Sequence, residues 1–420
     1  MAGYIEDRWL KKRPNPETGK RDRTALWGKG KRYKVTGIPG VRARSFDSAT
    51  EAKRWKSKAE HEAQSGEFVD TRLGQITLTG YVEEHWWPTK SGDPATLSTI
   101  RGRLGHIKEL LGAQPLNAIK APQLRAFLKG LESRIGASTT REVWSTLSSV
   151  LQAAVDDERI RKNYCRSKTI QLPVSQERKV EPWSRSRVQA VRDALPERYR
   201  ALMDVGVAAG LRQGEVFGLA VEDVDEEAGV LRVRRQVKKV GAKLVFALPK
   251  RGKTRDVPVP AVVIEAIKRH MKQFPPKKVT LPWGDPEPPT TEKEAKERAH
   301  QTFELIFTST RGLALRRDSW NTRYWKPALA AAGVIAGPVQ VRSGKRNRVE
   351  RKYPEAREHG FHVLRHTAAS VWLDAREPVV AVSSWLGHAD ASSTLRVYAH
   401  MMPEADGRGR EAMHAWFVGT

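Results

Sequence analysis

The sequence predicts a multidomain protein with three fold classes in succession: a small basic α+β domain at residues 1–65, an all-α bundle at 75–172, and a mixed α/β, mainly helical domain at 180–420. Three observations predict it. A length of 420 residues suffices for two or three separate cores. The apolar period changes along the chain, from alternating near the start, to helical in the middle, to a mixture of both beyond Val180. Positive charge is concentrated at the start, where residues 1–58 hold 17 Lys and Arg against 6 Asp and Glu.

In the first domain, residues 32–35 and 41–46 alternate like strands on either side of a Gly37-Ile38-Pro39-Gly40 turn. Asp47-Ser48 then opens a helix with Ala52, Trp55 and Ala59 on one face. Lys29, Lys31, Arg32, Lys34, Arg42 and Arg44 are candidate contacts to a polyanion, although a merely solvated basic face reads the same way. Residues 66–74 read as a linker. Helices are expected at 78–87, 95–111, 121–131 and 139–159. Leu97, Ile100, Leu104, Ile107, Leu110 and Leu111 recur at helical spacing, as do Val143, Leu147, Val150, Leu151 and Val155. Four helices joined by short loops make a bundle.

The third domain opens with helical patterns at 184–195 and 198–209, followed by Gly210-Leu211-Arg212-Gln213-Gly214-Glu215. Gly210 ends one helix and Gln213 begins the next, which sets Arg212 at the junction. Glu215 on its own reads as an exposed first-turn carboxylate favoured by the helix dipole. Residues 230–235 and 243–247 alternate like strands. Residues 249–255 turn into Asp256-Val257-Pro258-Val259, which reads as a hairpin whose basic tip carries Lys250 and Lys253. Residues 274–299 read as an exposed connection or extra helix, and 337–360 as a basic insertion.

The densest chemistry lies in 361–400. It comprises Phe361-His362-Val363-Leu364-Arg365-His366-Thr367, then Leu386-Gly387-His388, then Tyr398. This set suits a phosphodiester: Arg clamps oxyanions in a bidentate fork, His moves protons near neutral pH, and Tyr can be a covalent nucleophile. Plainer readings exist for each residue. His362 and His366 stand at i and i+4 like two metal ligands, but Val363 replaces the Glu of a zinc protease and no third ligand is evident. Tyr398 alone would be a core aromatic, and His388 alone a helix cap. After 403–409, residues 410–418 form a short amphipathic tail.

Charge narrows the partner. A formal net charge of +27, with aromatics at 7%, points to nucleic acid. No run of about 18 apolar residues marks a membrane span. The single Cys165 rules out an intramolecular disulfide and a cysteine-built metal site, and it fits a reducing cytoplasm. No phosphate-binding Walker loop is present.

Gly-Leu-Arg-x-Gly-Glu at 210–215, then His-x-x-Arg at 362–365, Leu-Gly-His at 386–388 and Tyr398 together resemble the signature of the tyrosine recombinases, the phage integrase family. The resemblance spans nearly the whole chain and is strongest over 180–400. It implies a site-specific DNA recombinase, an integrase that cuts and rejoins strands through a 3′-phosphotyrosyl intermediate. On that basis Tyr398 is the nucleophile, Arg212 and Arg365 clamp the phosphate, and His388 adds a hydrogen bond. His362 shares the proton from Tyr398, Glu215 supports the site, and Lys250, with Lys253 as rival, is the general acid. No metal or other cofactor is implied. The implied partners are double-stranded DNA at core and arm sites, further copies of the chain in a tetramer, a host bending protein and an excisionase, in the cytoplasm of a bacterial host. Domain 1–65 resembles an arm-binding module and 75–172 a core-binding domain. Asn163 is followed by Tyr164, where the family commonly has Pro. A type IB topoisomerase uses nearly the same residues, and a noncatalytic DNA-binding regulator would carry the same charge. The Leu-Gly-His spacing and the basic N-terminal module favour the recombinase.

Overall fold

The computed structural model describes residues 3–39, 41–64, 72–174, 181–284, 293, 299–343, 348–399 and 408–418. Most of the linker expected at 66–74, much of the 274–299 connection and most of the helical break expected at 403–409 lie outside them, and the last two residues of that break already belong to a helix. The chain divides into two compact units, Met1–Gln176 and Glu177–Thr420.

The first unit starts with an antiparallel sheet of Tyr4–Asp7, Tyr33–Thr36 and Arg44–Phe46, with the middle strand paired on both sides. The strand at Tyr4–Asp7 was not apparent from the sequence. Alternation sends Val35 and Phe46 inward, where they meet Ala52 and Ala59 of the helix Ala49–Gln64 in a small core. The bundle follows. Its helix Pro94–Leu111 begins with Pro94 at the first helical position and with Asp93 Oδ1 accepting from Ala95 N at 2.9 Å. Helices Ala121–Glu132 and Ala137–Asp156 complete the packing. Leu104, Ile107, Leu124, Phe127, Val143, Leu147 and Val150 meet in one core, each worth about 1.5–3 kcal/mol in removal from water. The expected helix at 78–87 is three short helical pieces running from Leu78 to Thr89, with a wider turn over Val82–Trp86.

In the second unit, helices Arg185–Ala194 and Arg200–Ala208 precede the short helix Gln213–Phe217. A three-stranded antiparallel sheet joins Val224–Asp225, Val230–Val233 and Arg255–Pro258. Gln236–Val240 and Lys243–Ala247 form a separate hairpin. This corrects the strand reading around Lys250. The basic turn is no hairpin tip, because the strand before it pairs with 236–240 and the strand after it with 230–233. Pro249 cannot donate a ladder hydrogen bond, and Arg251 with φ of 65° turns the chain from one sheet to the other. The connection at 274–299 also holds more order than expected, since Lys277–Pro282 pairs antiparallel with His300–Leu305. The basic stretch 337–360 contains a hairpin, Val339–Ser343 with Arg348–Lys352. The chain then forms helices His362–Asp374, Val379–Leu386, Ala391–Tyr398 and Arg408–Val418. Phe361 and Leu364 sit in the main core with Leu202, Phe217, Trp320 and Trp325, which seats the His362–Asp374 helix firmly.

Candidate active site

Helical spacing puts His362, Arg365 and His366 on neighbouring positions of one helix, at i, i+3 and i+4. Arg365 is 1% exposed. Its Nη1 donates to Gly210 O at 3.0 Å and its Nη2 to Leu386 O. The guanidinium therefore joins the Arg212 turn to the end of the Val379–Leu386 helix. Gly210 (φ 57°) can bend there because it lacks a side chain, and a Cβ at that position would press on Ala368, Leu386 and Trp372.

Arg212 is the extended residue capping Gln213–Phe217. Its backbone N–H donates to Glu215 Oε2 at 2.9 Å and its Nη1 to Oε1 at 2.9 Å. Glu215 is fully buried and is held from its far side by Arg255, whose Nη1 and Nη2 donate to Oε1 and Oε2 at 3.2 and 2.7 Å. Burial alone would raise the Glu215 pKa, but the Arg255 and Arg212 charges outweigh it and hold the carboxyl below its ordinary value. The reading of Glu215 as an exposed first-turn carboxylate is thereby set aside.

Gly387 ends the Val379–Leu386 helix in the left-handed conformation, and His388 follows it. His388 Nδ1 lies 2.8 Å from Thr394 Oγ1. Asp390 caps the last site helix by accepting from Ser393 N at 3.0 Å, and that helix ends in Tyr398. Tyr398 packs with Ala369, Leu373, Val382 and Leu386, and its Oη lies 2.6 Å from His366 Nδ1. Burial lifts the phenol to about 12. Burial, then the Arg365 charge, lowers His366 to about 4. Near neutral pH the phenol is therefore protonated and the imidazole neutral, and the two groups share this hydrogen bond. His388 is likewise lowered to about 4 by burial and by Arg365, Arg212 and Arg255. Burial of the ring's surroundings and the neighbouring positive charges also lower His362, although the residue as a whole is exposed. Arg365, lowered to about 9 by burial and Arg212, stays charged.

The structure thus gathers Arg212, Glu215, His362, Arg365, His388 and Tyr398 from three separate stretches of the chain. Lys253 joins them, with its ammonium donating to His388 O and Ala389 O at 3.0 and 3.1 Å. Lys250 stands exposed in the turn three residues earlier. Two residues of this arrangement were given no part in it from the sequence. Arg255 gave no signal beyond its place before a Val-Pro strand, whereas His366 was visible within the His-x-x-Arg segment. Among the described residues no three His, Cys, Asp or Glu side chains gather as a metal-binding group, and no helix is long and apolar enough to cross a membrane. Lys29, Lys31, Arg42 and Arg44 are exposed on the N-terminal module. Arg32 is instead held by Asp7 at 3.0 Å.

Comparison with known proteins agrees with this arrangement. Residues 185–404 match the model of the phage integrase family, just over half of the chain. The chain is 27% identical over 377 residues to a tyrosine recombinase XerC-like protein of Caldanaerobacter subterraneus subsp. tengcongensis, covering 84% of this chain and 85% of that protein. It is 26% identical to an integrase of Mycobacterium phage D29, covering 59% of this chain and 69% of the relative. Among solved structures it is similar in fold to the Tn1549 transposon integrase in complex with transposon right-end DNA, at a TM-score of 0.58 and 18% identity over 82% of this chain and 100% of that one. A lambda integrase tetramer bound to a Holliday junction is also similar, at a TM-score of 0.55 and 17% identity over 89% and 94% of the two chains. A match over most of the second unit, with the site residues inside it, leaves one assignment: the chain belongs to the phage integrase family and is a tyrosine-type site-specific recombinase.

Proposed function

We propose that Tyr398 Oη attacks the scissile phosphate of a double-stranded DNA site, forming the phosphotyrosyl bond as the bond to the 5′ oxygen breaks. The convergence of Arg212, Arg365 and His388 around the Tyr398 helix carries this reading. Two guanidiniums and an imidazole supply N–H donors where the nonbridging oxygens gain charge. The phenolic proton leaves toward the imidazoles, where His362, packed edge-on against the His366 ring at 4.7 Å, shares it. The 5′ oxygen needs a proton as it departs. Lys250 supplies it in this reading, because Lys253 is already engaged by two carbonyls. A new 5′-hydroxyl then attacks the phosphotyrosine, which conserves the bond energy for rejoining.

Strand exchange between two sites calls for four such protomers, so the reading includes a homotetramer on DNA. The exposed Trp416 and Phe417 of the terminal helix are available to a neighbouring copy. The exposed bases of the module at 1–65 suit accessory arm sites, where a bending protein and an excisionase would act, and the bundle suits the core site. The reading includes action on DNA in the cytoplasm of a bacterial host. A nicked suicide duplex tests the nucleophile. Tyr398→Phe is expected to bind the site as the parent does and to form no covalent complex. An adduct with that variant would move the nucleophile to Tyr353 or Tyr324.

A further inference from the structure

Arg255 belongs to none of the roles above, yet it is the most heavily engaged guanidinium near the site. Its side chain is 5% exposed. Nη1 and Nη2 grip both oxygens of Glu215, and Nε donates to Trp385 O at 2.6 Å. The residue starts a strand, with Arg255 opposite Val233 in an antiparallel ladder, so its base is fixed. The left-handed turn at Gly387 passes so close that a Cβ there would lie 3.1 Å from Arg255 Nη1. Burial and these three acceptors commit the Arg255 fork to the protein itself.

Arg212 is placed differently. Its side chain is 24% exposed, its guanidinium reaches only Oε1 of Glu215 while its backbone N–H takes Oε2, and its Nη2 makes a long contact of 3.4 Å with Gly387 O. A carboxylate facing Arg212 alone would offer both oxygens to that fork, since Arg–carboxylate pairs favour bidentate geometry. We propose that Arg255 is a positioning residue. By occupying Glu215 from behind, it keeps the Arg212 donors directed to the scissile phosphate, and through Trp385 it ties the turn carrying His388 to the same carboxylate. The inference rests on the proposed roles of Arg212 and Tyr398.

The test measures single-turnover covalent complex formation at saturating protein on the suicide duplex, with site affinity measured in parallel. Arg255→Met is expected to slow adduct formation by about 100-fold, the scale of a misdirected reacting group, with affinity changed less than about threefold. Arg255→Lys keeps the charge and loses the fork, and is expected to recover about tenfold of that loss. The deciding comparison uses Glu215→Gln, which removes the charge that Arg255 answers. In that background Arg255→Met is expected to cost less than about threefold, because coupled residues are not additive. An equal cost in both backgrounds would mean that Arg255 only braces Trp385, and the proposal would fall. Wild-type cleavage by Arg255→Met would overturn it as well. If Arg255→Met does not fold, the Arg255→Lys variant and the charge-balanced double variant decide by the same criteria. Tyr398→Phe and Arg212→Lys run alongside. Adducts at the parental rate from either would defeat the underlying site reading, whatever Arg255 does.

Discussion

At the scale of single residues, the site is a set of neutral imidazoles beside charged guanidiniums. His366 and His388 are both lowered to about 4 by burial and by the Arg365 charge. In the unfolded chain each returns to the ordinary value near 6.5. Between those values the unfolded chain binds protons that the native chain refuses. The stability that these two imidazoles contribute is therefore complete above about pH 6.5 and is lost as pH falls toward 4. His366→Asn, which keeps an acceptor where Nδ1 stood, is expected to show a smaller drop in the unfolding temperature between pH 7.5 and 5 than the parent chain. Equal drops would mean that His366 is not held neutral. Sequence reading reached Arg212, Arg365, His388 and Tyr398 because their spacing forms a recognisable signature. It could not reach Arg255, whose meaning comes from Glu215, 40 positions earlier, and from a carbonyl 130 positions later. His366 was visible but ambiguous, since its partner Tyr398 lies on another helix.

At the scale of elements, periodicity located most helices to within a few residues, because each buries one stripe of apolar side chains. It was weaker for strands. Alternation reports which face a strand buries and is silent about which strand it pairs with. The basic turn at 250–252 was consequently read as a hairpin tip, although its flanking strands belong to different sheets. That difference bears on the general acid. Lys253 holds the His388 turn through two carbonyls, while Lys250 lies outside that contact on the same short segment. A substrate with a 5′-thiol leaving group needs little protonation, so it is expected to restore cleavage to Lys250→Ala and not to Lys253→Ala. The latter should be impaired on both substrates, because the His388 turn has lost its tether. Rescue of Lys253→Ala alone would reverse the assignment.

At the scale of the whole molecule, the question is what the basic N-terminal module adds to a complete catalytic unit. Its own small core closes around Val35, Phe46, Ala52 and Ala59, apart from the larger core of the bundle. The Arg161–Glu62 ion pair reaches from the bundle to the module helix, with Arg161 45% exposed. Glu62 is 11% exposed in that pair, and the module and the bundle keep separate cores, so deleting residues 1–65 is expected to leave the bundle folded. The shortened chain should cleave an isolated core site at close to the parental rate, since the residues from Arg212 to Tyr398 remain. It should fail to recombine full attachment sites, where arm contacts hold several protomers together and raise their local concentration. Lys29, Lys31, Arg42 and Arg44 are exposed, with Lys31 3.7 Å from Asp47 and Arg44 lying over the Phe46 and Trp55 rings, whereas Arg32 is held by Asp7. Each phosphate lost on deletion should reduce the slope of log affinity against log salt by about 0.9. Alanine at those four positions should lower the slope as the deletion does, and alanine at Arg32 should act mainly on stability. If the shortened chain recombines full sites once the salt is lowered, the module contributes only general charge, and its assignment to arm sites is wrong.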